Sequence, residues 1–331
     1  MRIGSGVARQ NNLAEGEMAG SKQTTLANRA ELSGRGVHSD QPVTIIFHPA
    51  SAHHGIQFLR KGLAGGRERL IPSRHDAVTA SELCTIIGDT QSGSVSTIEH
   101  LMAALYASGI DNLLIEIDGP EVPIMDGSSA PFIAVFDRVG LVRQDAARRF
   151  VKILKPVRVE HGEKYSELLP FARGFRMTVE IDFKTALIGR QKKSLDLTPG
   201  SFRDELQYAR TFGFLKDVDM LRQAGFALGA SLDNTVAIDG DTIMNPEGLR
   251  YRDEFIRHKM LDAVGDLSLA GYPIIGHFRS FCGGHRMNVS VLHSLFADRT
   301  AFEIVEERVS GAAMTDARPR AAALAFAPEA N

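Results

Sequence analysis

Cysteine and tryptophan are the scarcest residues of this 331-residue chain, which has two cysteines and no tryptophan. Cys84 and Cys282 are too few for a disulfide framework or a tetracysteine metal site. An excess of positive charge is also missing, since 38 Lys and Arg residues face 40 Asp and Glu residues and give a formal net charge of −2. Proteins that bind nucleic acid usually carry an excess of basic residues, so we expect no nucleic-acid partner.

Long apolar runs are missing as well. No stretch of about 18 apolar residues is present to span a bilayer, and the first twenty residues lack the apolar segment of a secretory signal. We therefore expect a cytoplasmic protein without stable membrane insertion. The P-loop, G-x-G-x-x-G and G-x-S-x-G patterns are absent too, which removes the usual signals of nucleoside triphosphate hydrolysis, dinucleotide redox chemistry and α/β-hydrolase chemistry.

The composition that remains is that of a folded protein, with 44% hydrophobic and 24% charged residues. This length predicts two domains at about 150 residues each. Strand-like stretches at 43–47, 113–117 and 177–183 are rich in β-branched residues or alternate apolar with polar residues. Apolar residues at helical spacing predict helices over about 97–108 and 253–270.

We divide the chain into four parts. Residues 1–22 and 306–331 show no periodicity, and we interpret them as a flexible N-terminal arm and a C-terminal tail. Residues 23–147 and 148–305 are predicted to form a first and a second α+β domain. Each domain contains a histidine-bearing helix, a glycine turn and an apolar strand, so an internal duplication and a chance similarity are both open.

The second predicted helix carries three ionisable side chains on one face, because His258, Asp262 and Asp266 stand four residues apart. Its other faces are apolar, which is typical of a buried helix. Buried carboxylates cost free energy unless they are paired or bind a cation. Two interpretations are open, namely a His–Asp pair on a solvated face and part of a metal site.

The first predicted helix begins with Ser96-Thr97-Ile98-Glu99-His100. The S-x-x-E spacing fits a capping box, in which Ser96 caps the helix and Glu99 bonds back to it. Alternatively, His100 joins His258 and Asp262 as three ligands with one open position, which is typical of catalytic zinc. In that case the adjacent Glu99 is placed to act as a general base.

A third candidate is His285, which follows Gly283 and Gly284. Glycines let the backbone approach a ligand closely, and the imidazole can donate a proton, although a plain turn with an exposed histidine is the alternative. The other eight histidines, His38 and His75 among them, show no partner pattern, and we expect them to be structural.

Seven stretches of the chain form a series of longer motifs: GRGVHS (34–39), STIEHLMAAL (96–105), GIDNLLIEIDGPEVPIMDGSSAPF (109–132), ARTFGF (209–214), LGASLDNTV (228–236), DEFIRHKMLDAVGDL (253–267) and GGH (283–285). From Thr24 to about Val305 the chain thereby resembles the UDP-3-O-acyl-N-acetylglucosamine deacetylase family, the zinc enzymes of bacterial lipid A biosynthesis. The resemblance implies an α+β fold of two similar βα domains. Their helices would be sandwiched between the two sheets, with the active site at the domain junction.

The resemblance also implies a role for each candidate. The metal ligands would be His100, His258 and Asp262, holding one zinc ion per chain, with ferrous iron as the alternative metal in the cell. Glu99 would activate water, and His285 would be the protonated group that stabilises the oxyanion and protonates the leaving amine. The supporting groups would be Asp266, which orients His285, Lys259, which positions the polar head of the substrate, and Thr211, which hydrogen-bonds the carbonyl oxygen.

Substrate contacts are implied in the same way. The family's acyl chain lies in a hydrophobic passage built by an insert in the second domain, and the matching residues here are Phe212, Phe214, Val218 and Ala227. Phe183 resembles a residue that stacks on uracil. The chain departs from the family at Lys184-Thr185, where an Asn/Asp-His-Pro run is common, and at Ala230, which replaces a glycine and bears on acyl-chain length.

The implied reaction is hydrolysis of the 2-acetamido group of UDP-3-O-acyl-N-acetylglucosamine, with release of acetate, by a monomer whose partner is this small-molecule substrate. Two other hypotheses remain open. One is a zinc hydrolase for a different substrate, such as a peptidase or another sugar deacetylase. The other is a non-catalytic lipid–nucleotide binding protein that retains the scaffold.

Overall fold

A computed structural model of the chain describes residues 22–89 and 91–306. The arm and the tail expected at 1–22 and 306–331 lie outside these residues, apart from Lys22 and Glu306, which begin the first strand and end the last one. Within the described part of the chain, no helix is both long and apolar enough to cross a bilayer.

Among the described residues, the first half contains ten strands and two α-helices. The strands are β1 (Lys22–Leu26), β2 (Ala30–Arg35), β3 (Pro42–Pro49), β4 (Ile56–Leu63), β5 (Arg67–Pro72), β6 (Val78–Ala80), β7 (Ile86–Asp89), β8 (Gly93–Val95), β9 (Leu113–Ile117) and β10 (Leu141–Ala147). The helices are α1 (Glu99–Ser108) and α2 (Ala130–Val139). A five-stranded sheet has the order β2-β3-β9-β4-β5, while β6-β7-β8 form a small sheet and β1 pairs with β10.

In the second half, the part up to residue 306 contains ten more strands and four α-helices. The strands are β11 (Arg149–Ile153), β12 (Val157–His161), β13 (Lys164–Leu169), β14 (Phe175–Asp182), β15 (Arg190–Leu197), β16 (Phe212–Phe214), β17 (Val236–Asp239), β18 (Thr242–Ile243), β19 (Ile274–Phe281) and β20 (Phe302–Glu306). The helices are α3 (Pro199–Glu205), α4 (Leu215–Gln223), α5 (Glu254–Ser268) and α6 (His285–Ala297). β19 pairs with β13, β14 and β11 in a seven-stranded sheet, and β16-β17-β18 form a separate one. The division expected between residues 147 and 148 stays a prediction, and it falls between β10 and β11.

The strands follow the alternation of their residues. In β3, Val43, Ile45 and Phe47 are buried while the residues between them are only half-buried, and β14 and β19 show the same period of two. One face of each sheet therefore packs into the core. The expected strands at 43–47 and 113–117 are confirmed, and the third ends at Asp182, one residue before Phe183.

Helices α1 and α5 are largely buried in the interior. α1 and α5 pack along each other, α5 also contacts β14 and β15, α2 contacts β2, and α6 contacts β12 and β13. Gly265 makes the close approach of α1 and α5 possible, because a Cβ there would lie 2.0 Å from the Glu99 carbonyl oxygen. The expected α+β fold is confirmed.

The capping-box interpretation of the first helix is wrong. α1 begins at Glu99 and has no side-chain cap, while the Ser96 hydroxyl donates to the Pro120 carbonyl at 3.2 Å. Thr97 has φ +57°, which is outside the helical region and rare for a β-branched residue. The Glu99 carboxylate is consequently free to face another partner. The second helix is also shorter than expected, since α5 ends at Ser268.

Candidate active site

Two imidazoles and one carboxylate meet where α1 crosses α5. His100 comes from the first turn of α1, whereas His258 and Asp262 are one turn apart on α5. The Nε2 atoms of His100 and His258 lie 3.4 Å and 3.3 Å from Asp262 Oδ1. All three residues are buried, and one potential ligand atom of each lies within 4.8 Å of the others. The interpretation of His258 and Asp262 as a solvated pair is therefore wrong.

The His258 ring is held in one orientation. Its Nδ1 is 3.1 Å from the Ala209 carbonyl oxygen, so the tautomer that donates from Nδ1 leaves the Nε2 lone pair facing Asp262 and His100. Burial lowers the pKa of His258 to about 3, so the ring is neutral at physiological pH. A neutral imidazole whose second nitrogen donates to a carbonyl is the usual form of a metal-bound histidine.

Asp262 carries an unsatisfied oxygen at the centre of this group. Oδ2 accepts a hydrogen bond from Lys259 Nζ at 2.9 Å, whereas the buried Oδ1 has no hydrogen-bond partner. Burial opposes ionisation, but neighbouring groups, including the positive charge of Lys259, hold the pKa of Asp262 well below its ordinary value. A buried anionic oxygen without a donor, flanked by two imidazole nitrogens, fits a divalent cation. This trio could hold a metal ion.

Glu99 lies beside the trio on the first turn of α1. Its side chain is buried, its Oε2 accepts the Thr85 backbone N–H at 3.1 Å, and its Oε1 is 3.9 Å from His285 Nε2. Burial raises the pKa of Glu99, although His285 and His100 oppose the increase. A carboxylate with a raised pKa next to a possible metal position is suited to accept a proton.

His285 is the first residue of α6, where the helix dipole disfavours a positive charge. Asp266 offsets this, because its Oδ2 is 2.9 Å from His285 Nδ1. Burial lowers the pKa of His285, but Asp266 and Glu99 outweigh burial and raise it to about 10. Glycine is required at position 283, just before the helix, because a Cβ there would lie only 2.3 Å from Ser280 Oγ. The alternative of an exposed turn histidine is wrong.

A cavity of about 530 Å³ opens onto these groups, a size typical of small-molecule sites. The residues that line it include Glu99, His285, the trio of His100, His258 and Asp262, and also Lys259 and Thr211. Asp266 does not line the cavity and lies behind His285. Lys259 Nζ is 5.5 Å from the centre of the Phe212 ring, which places its charge where the polar and apolar parts of the cavity meet.

Much of the remaining lining of the cavity is apolar. The lining residues here include the four expected passage residues, Phe212, Phe214, Val218 and Ala227, together with Leu215, Leu221, Ala230 and Leu232. Phe183 is different, since it does not line the cavity and its ring packs 5.7 Å from that of Phe212. The assignment of Phe183 to a uracil ring stays a prediction.

Three residues that we assigned no role lie close to the site. His38 lines the cavity, and its Nδ1 accepts the Ala227 backbone N–H at 3.3 Å. Buried Glu121 accepts hydrogen bonds from the His38 N–H and the Thr97 hydroxyl, both at 2.9 Å, and so ties a loop to the start of α1. Both lie in motifs that carry the family resemblance. Thr85 lies in none of these motifs, and no local pattern signals it.

A larger cleft, of about 640 Å³, lies at the other ends of α1 and α5 and is lined by Tyr106 and Ser268 among others. None of the candidate catalytic or metal-binding residues lines it. The larger cleft is therefore not the candidate active site. The grouping of ionisable side chains, and not the size of a cavity, identifies that site.

Comparison with known proteins agrees with the motifs. The family model described as "LpxC: UDP-3-O-acyl N-acetylglycosamine deacetylase" matches residues 23–297. Proteins of Brucella ovis and Brucella canis named UDP-3-O-acyl-N-acetylglucosamine deacetylase are each 52% identical over 285 residues, covering 86% of this chain and 98% of theirs. A protein of the same name from Brucella melitensis is 51% identical over the same length. The chain therefore belongs to the UDP-3-O-acyl-N-acetylglucosamine deacetylase family.

Proposed function

We propose that this chain hydrolyses the 2-acetamido group of UDP-3-O-acyl-N-acetylglucosamine and releases acetate, an early step of lipid A biosynthesis. One observation carries the proposal: the trio that could hold a metal, a buried carboxylate and an imidazole with a raised pKa all line one cavity, and much of its remaining lining is apolar. Membership of the family supports the same substrate. A binding protein without catalysis would have no use for a separate base and acid.

We infer that His100, His258 and Asp262 hold one zinc ion, with ferrous iron as an alternative that the same nitrogen and oxygen ligands suit. When bound, zinc lowers the pKa of water to about 7 and polarises the substrate carbonyl. The chain contributes the tautomer of His258, fixed by the Ala209 carbonyl, and the unpaired Oδ1 of Asp262.

The proton transfers belong to Glu99 and His285. Glu99 accepts a proton from the attacking water while the water oxygen bonds to the acetamide carbonyl carbon, and the C=O electron pair moves onto the carbonyl oxygen, which develops negative charge. Thr211 and Lys259 line the same cavity and can donate hydrogen bonds to the carbonyl oxygen and to the polar head of the substrate. His285 then gives its proton to the nitrogen, the carbonyl re-forms as the C–N bond breaks, and the sugar amine and acetate leave. Asp266 keeps the imidazolium oriented through Nδ1.

The acyl chain of the substrate would lie against the apolar lining of the cavity. Phe212 and Phe214 provide aromatic surface there, and α4 contributes Val218 and Leu221. A peptidase or a deacetylase of a small sugar would gain nothing from this surface, whereas a 3-O-acylated sugar would bury its chain against it. The comparison between acylated and unacylated substrate therefore distinguishes this proposal from another zinc hydrolase.

The experiment is to purify the chain, measure bound zinc and iron by elemental analysis, and follow acetate release from UDP-3-O-acyl-N-acetylglucosamine. We expect one metal ion per chain, acetate release that stops on chelation, and a much lower kcat/KM for the unacylated UDP-sugar. A protein that holds one metal and releases no acetate would contradict the proposal. Equal kcat/KM for the two sugars would favour a different hydrolase.

We infer further that the enzyme acts in the cytoplasm as a monomer. Both cysteines of the chain, Cys84 and Cys282, are free thiols, as is usual in a reducing compartment. All of the candidate catalytic residues come from one chain, so the site needs no second copy. Sedimentation of the purified protein tests the oligomeric state.

A further inference from the structure

Thr85 contacts two of the candidate catalytic carboxylates, which come from different halves of the chain. Its side chain is completely buried between α1 and α5. The hydroxyl donates to Asp266 Oδ1 at 2.6 Å, and the backbone N–H donates to Glu99 Oε2 at 3.1 Å. The mechanism proposed above gives this residue no task, although it is bonded to the partner of the acid and to the base.

The hydroxyl of Thr85 completes the hydrogen bonds of Asp266. On the other oxygen, Oδ2 accepts from His285 Nδ1 and from Asn288 Nδ2, each at 2.9 Å. The last torsion of an aspartate side chain is soft, so a carboxylate with donors on one oxygen can rotate. With Thr85 bonded to Oδ1, donors on both oxygens fix the plane of the carboxylate. The direction of the His285 ring follows from that plane.

The backbone of Thr85 constrains the other side of the site. Its N–H holds Glu99 Oε2, which leaves Oε1 directed at His285 Nε2 across 3.9 Å. Its carbonyl oxygen faces the Ile98 N–H at 3.5 Å, just before the first turn of α1. One residue therefore has contacts with the start of α1, which carries the base, and with α5, which carries the partner of the acid.

We propose that Thr85 is a positioning residue for the deacetylation. Its hydroxyl fixes the Asp266 carboxylate that orients His285, its N–H fixes Glu99, and together they keep the base and the acid at the distance that the reaction needs. The inference rests on the proposed function in one respect, namely that Glu99 and His285 are the groups that transfer protons. Preorganised catalytic groups lose rate when their supporting hydrogen bonds are removed.

The first test compares Thr85→Val with Thr85→Ser. Valine has nearly the same shape and keeps the backbone N–H but has no hydroxyl, whereas serine keeps the hydroxyl. We expect kcat of the valine variant to fall about 10–100-fold with KM and metal content unchanged, and kcat of the serine variant to stay close to that of the wild type. Equal losses in both variants, or a wild-type kcat in the valine variant, would overturn the proposal.

A double-mutant cycle tests whether Thr85 acts through Asp266. If it does, Thr85→Val should slow the Asp266→Asn variant far less than it slows the wild type, because the carboxylate that it orients is gone. If the fold-losses in kcat of the two single variants instead multiply in the double variant, the hydroxyl acts independently of Asp266 and the proposal fails.

A readout without turnover separates this proposal from the proposed function. In the metal-free protein, the Nδ1 proton of His285 hydrogen-bonded to Asp266 should give a downfield proton NMR signal, assigned by its absence in His285→Gln. We expect Thr85→Val to move this signal and Thr85→Ser to leave it in place. An unmoved signal in the valine variant refutes the positioning role. A wild-type protein that releases no acetate refutes the proposed function and leaves the NMR result standing.

Discussion

Replacement of Glu99 by glutamine separates metal binding from catalysis. Glutamine keeps the shape of the side chain and can still accept the Thr85 N–H through its carbonyl oxygen, but it cannot accept a proton from water. His100, His258 and Asp262 are untouched, so the metal should remain bound. The expected result is a protein with full metal content that has lost most of its turnover.

The size of the loss follows from what else lines the cavity. General-base catalysis typically contributes about 10²–10⁴-fold, or about 2.7–5.4 kcal/mol of activation free energy. Among the described residues, the other carboxylates that line the cavity are Asp262, which belongs to the trio, and Glu82, which is exposed and pairs with Arg286. Neither can replace the buried Glu99, so we expect a loss of about 10³-fold or more.

The assay is the initial rate of acetate release, with zinc and iron measured on the same samples. Glu82→Gln is the matched control, because it removes an exposed carboxylate from the same cavity and should leave the rate unchanged. In the wild type the rate should rise as the pH rises through the pKa of Glu99, because the carboxylate must be ionised to accept a proton, and burial raises this pKa. The pH–rate profile of the glutamine variant should lack this ascending limb. A wild-type-like rate in Glu99→Gln would refute the mechanism, and a loss of metal would refute the separation of roles.

Three further predictions concern the ligands, the acid and a buried ion pair. His258→Ala removes one imidazole of the trio and should lower metal content together with turnover, as elemental analysis will show. Asp266→Asn removes a charge that raises the pKa of His285 to about 10. The rate falls as the pH rises through that pKa, because the acid loses its proton, so the descending limb of the pH–rate profile should move to lower pH. Arg210→Met leaves the fully buried Glu254 without the guanidinium 2.9 Å away and should lower the free energy of unfolding in urea by about 3–5 kcal/mol.

Each of these has a control and an outcome that contradicts it. His161→Ala changes an exposed histidine and should leave the metal content unchanged, whereas full metal content in His258→Ala would argue against the ligand set. A descending limb that stays in place in Asp266→Asn would remove His285 from the role of acid. Arg176→Met breaks an exposed pair with Asp196 and should lower the free energy of unfolding far less than Arg210→Met does, so equal losses in the two arginine variants would contradict the argument from burial.

The spacing of apolar residues predicted which helices and strands are present better than it predicted the residues at which they begin and end. The apolar spacing of α1 was visible, but the start at Glu99 depends on Thr97, whose positive φ is held by a hydrogen bond to Glu121, a residue 24 positions away. The same S-x-x-E spacing suggested a capping box because local signals alone cannot show that Glu99 has a partner elsewhere in the fold. That partner is the Thr85 N–H, which comes from the end of another loop.

The sequence by itself determined the α+β class, the helical face that carries His258, Asp262 and Asp266, and, through its motifs, the family. These depend on residue types and short spacings, which the chain carries whatever its path. Only the tertiary structure decided how His100 meets this face, because the crossing of α1 and α5 depends on Gly265 having no Cβ against Glu99. The tertiary structure likewise decided the contacts of Thr85 with Asp266, since a hydrogen bond between residues 181 positions apart leaves no local pattern.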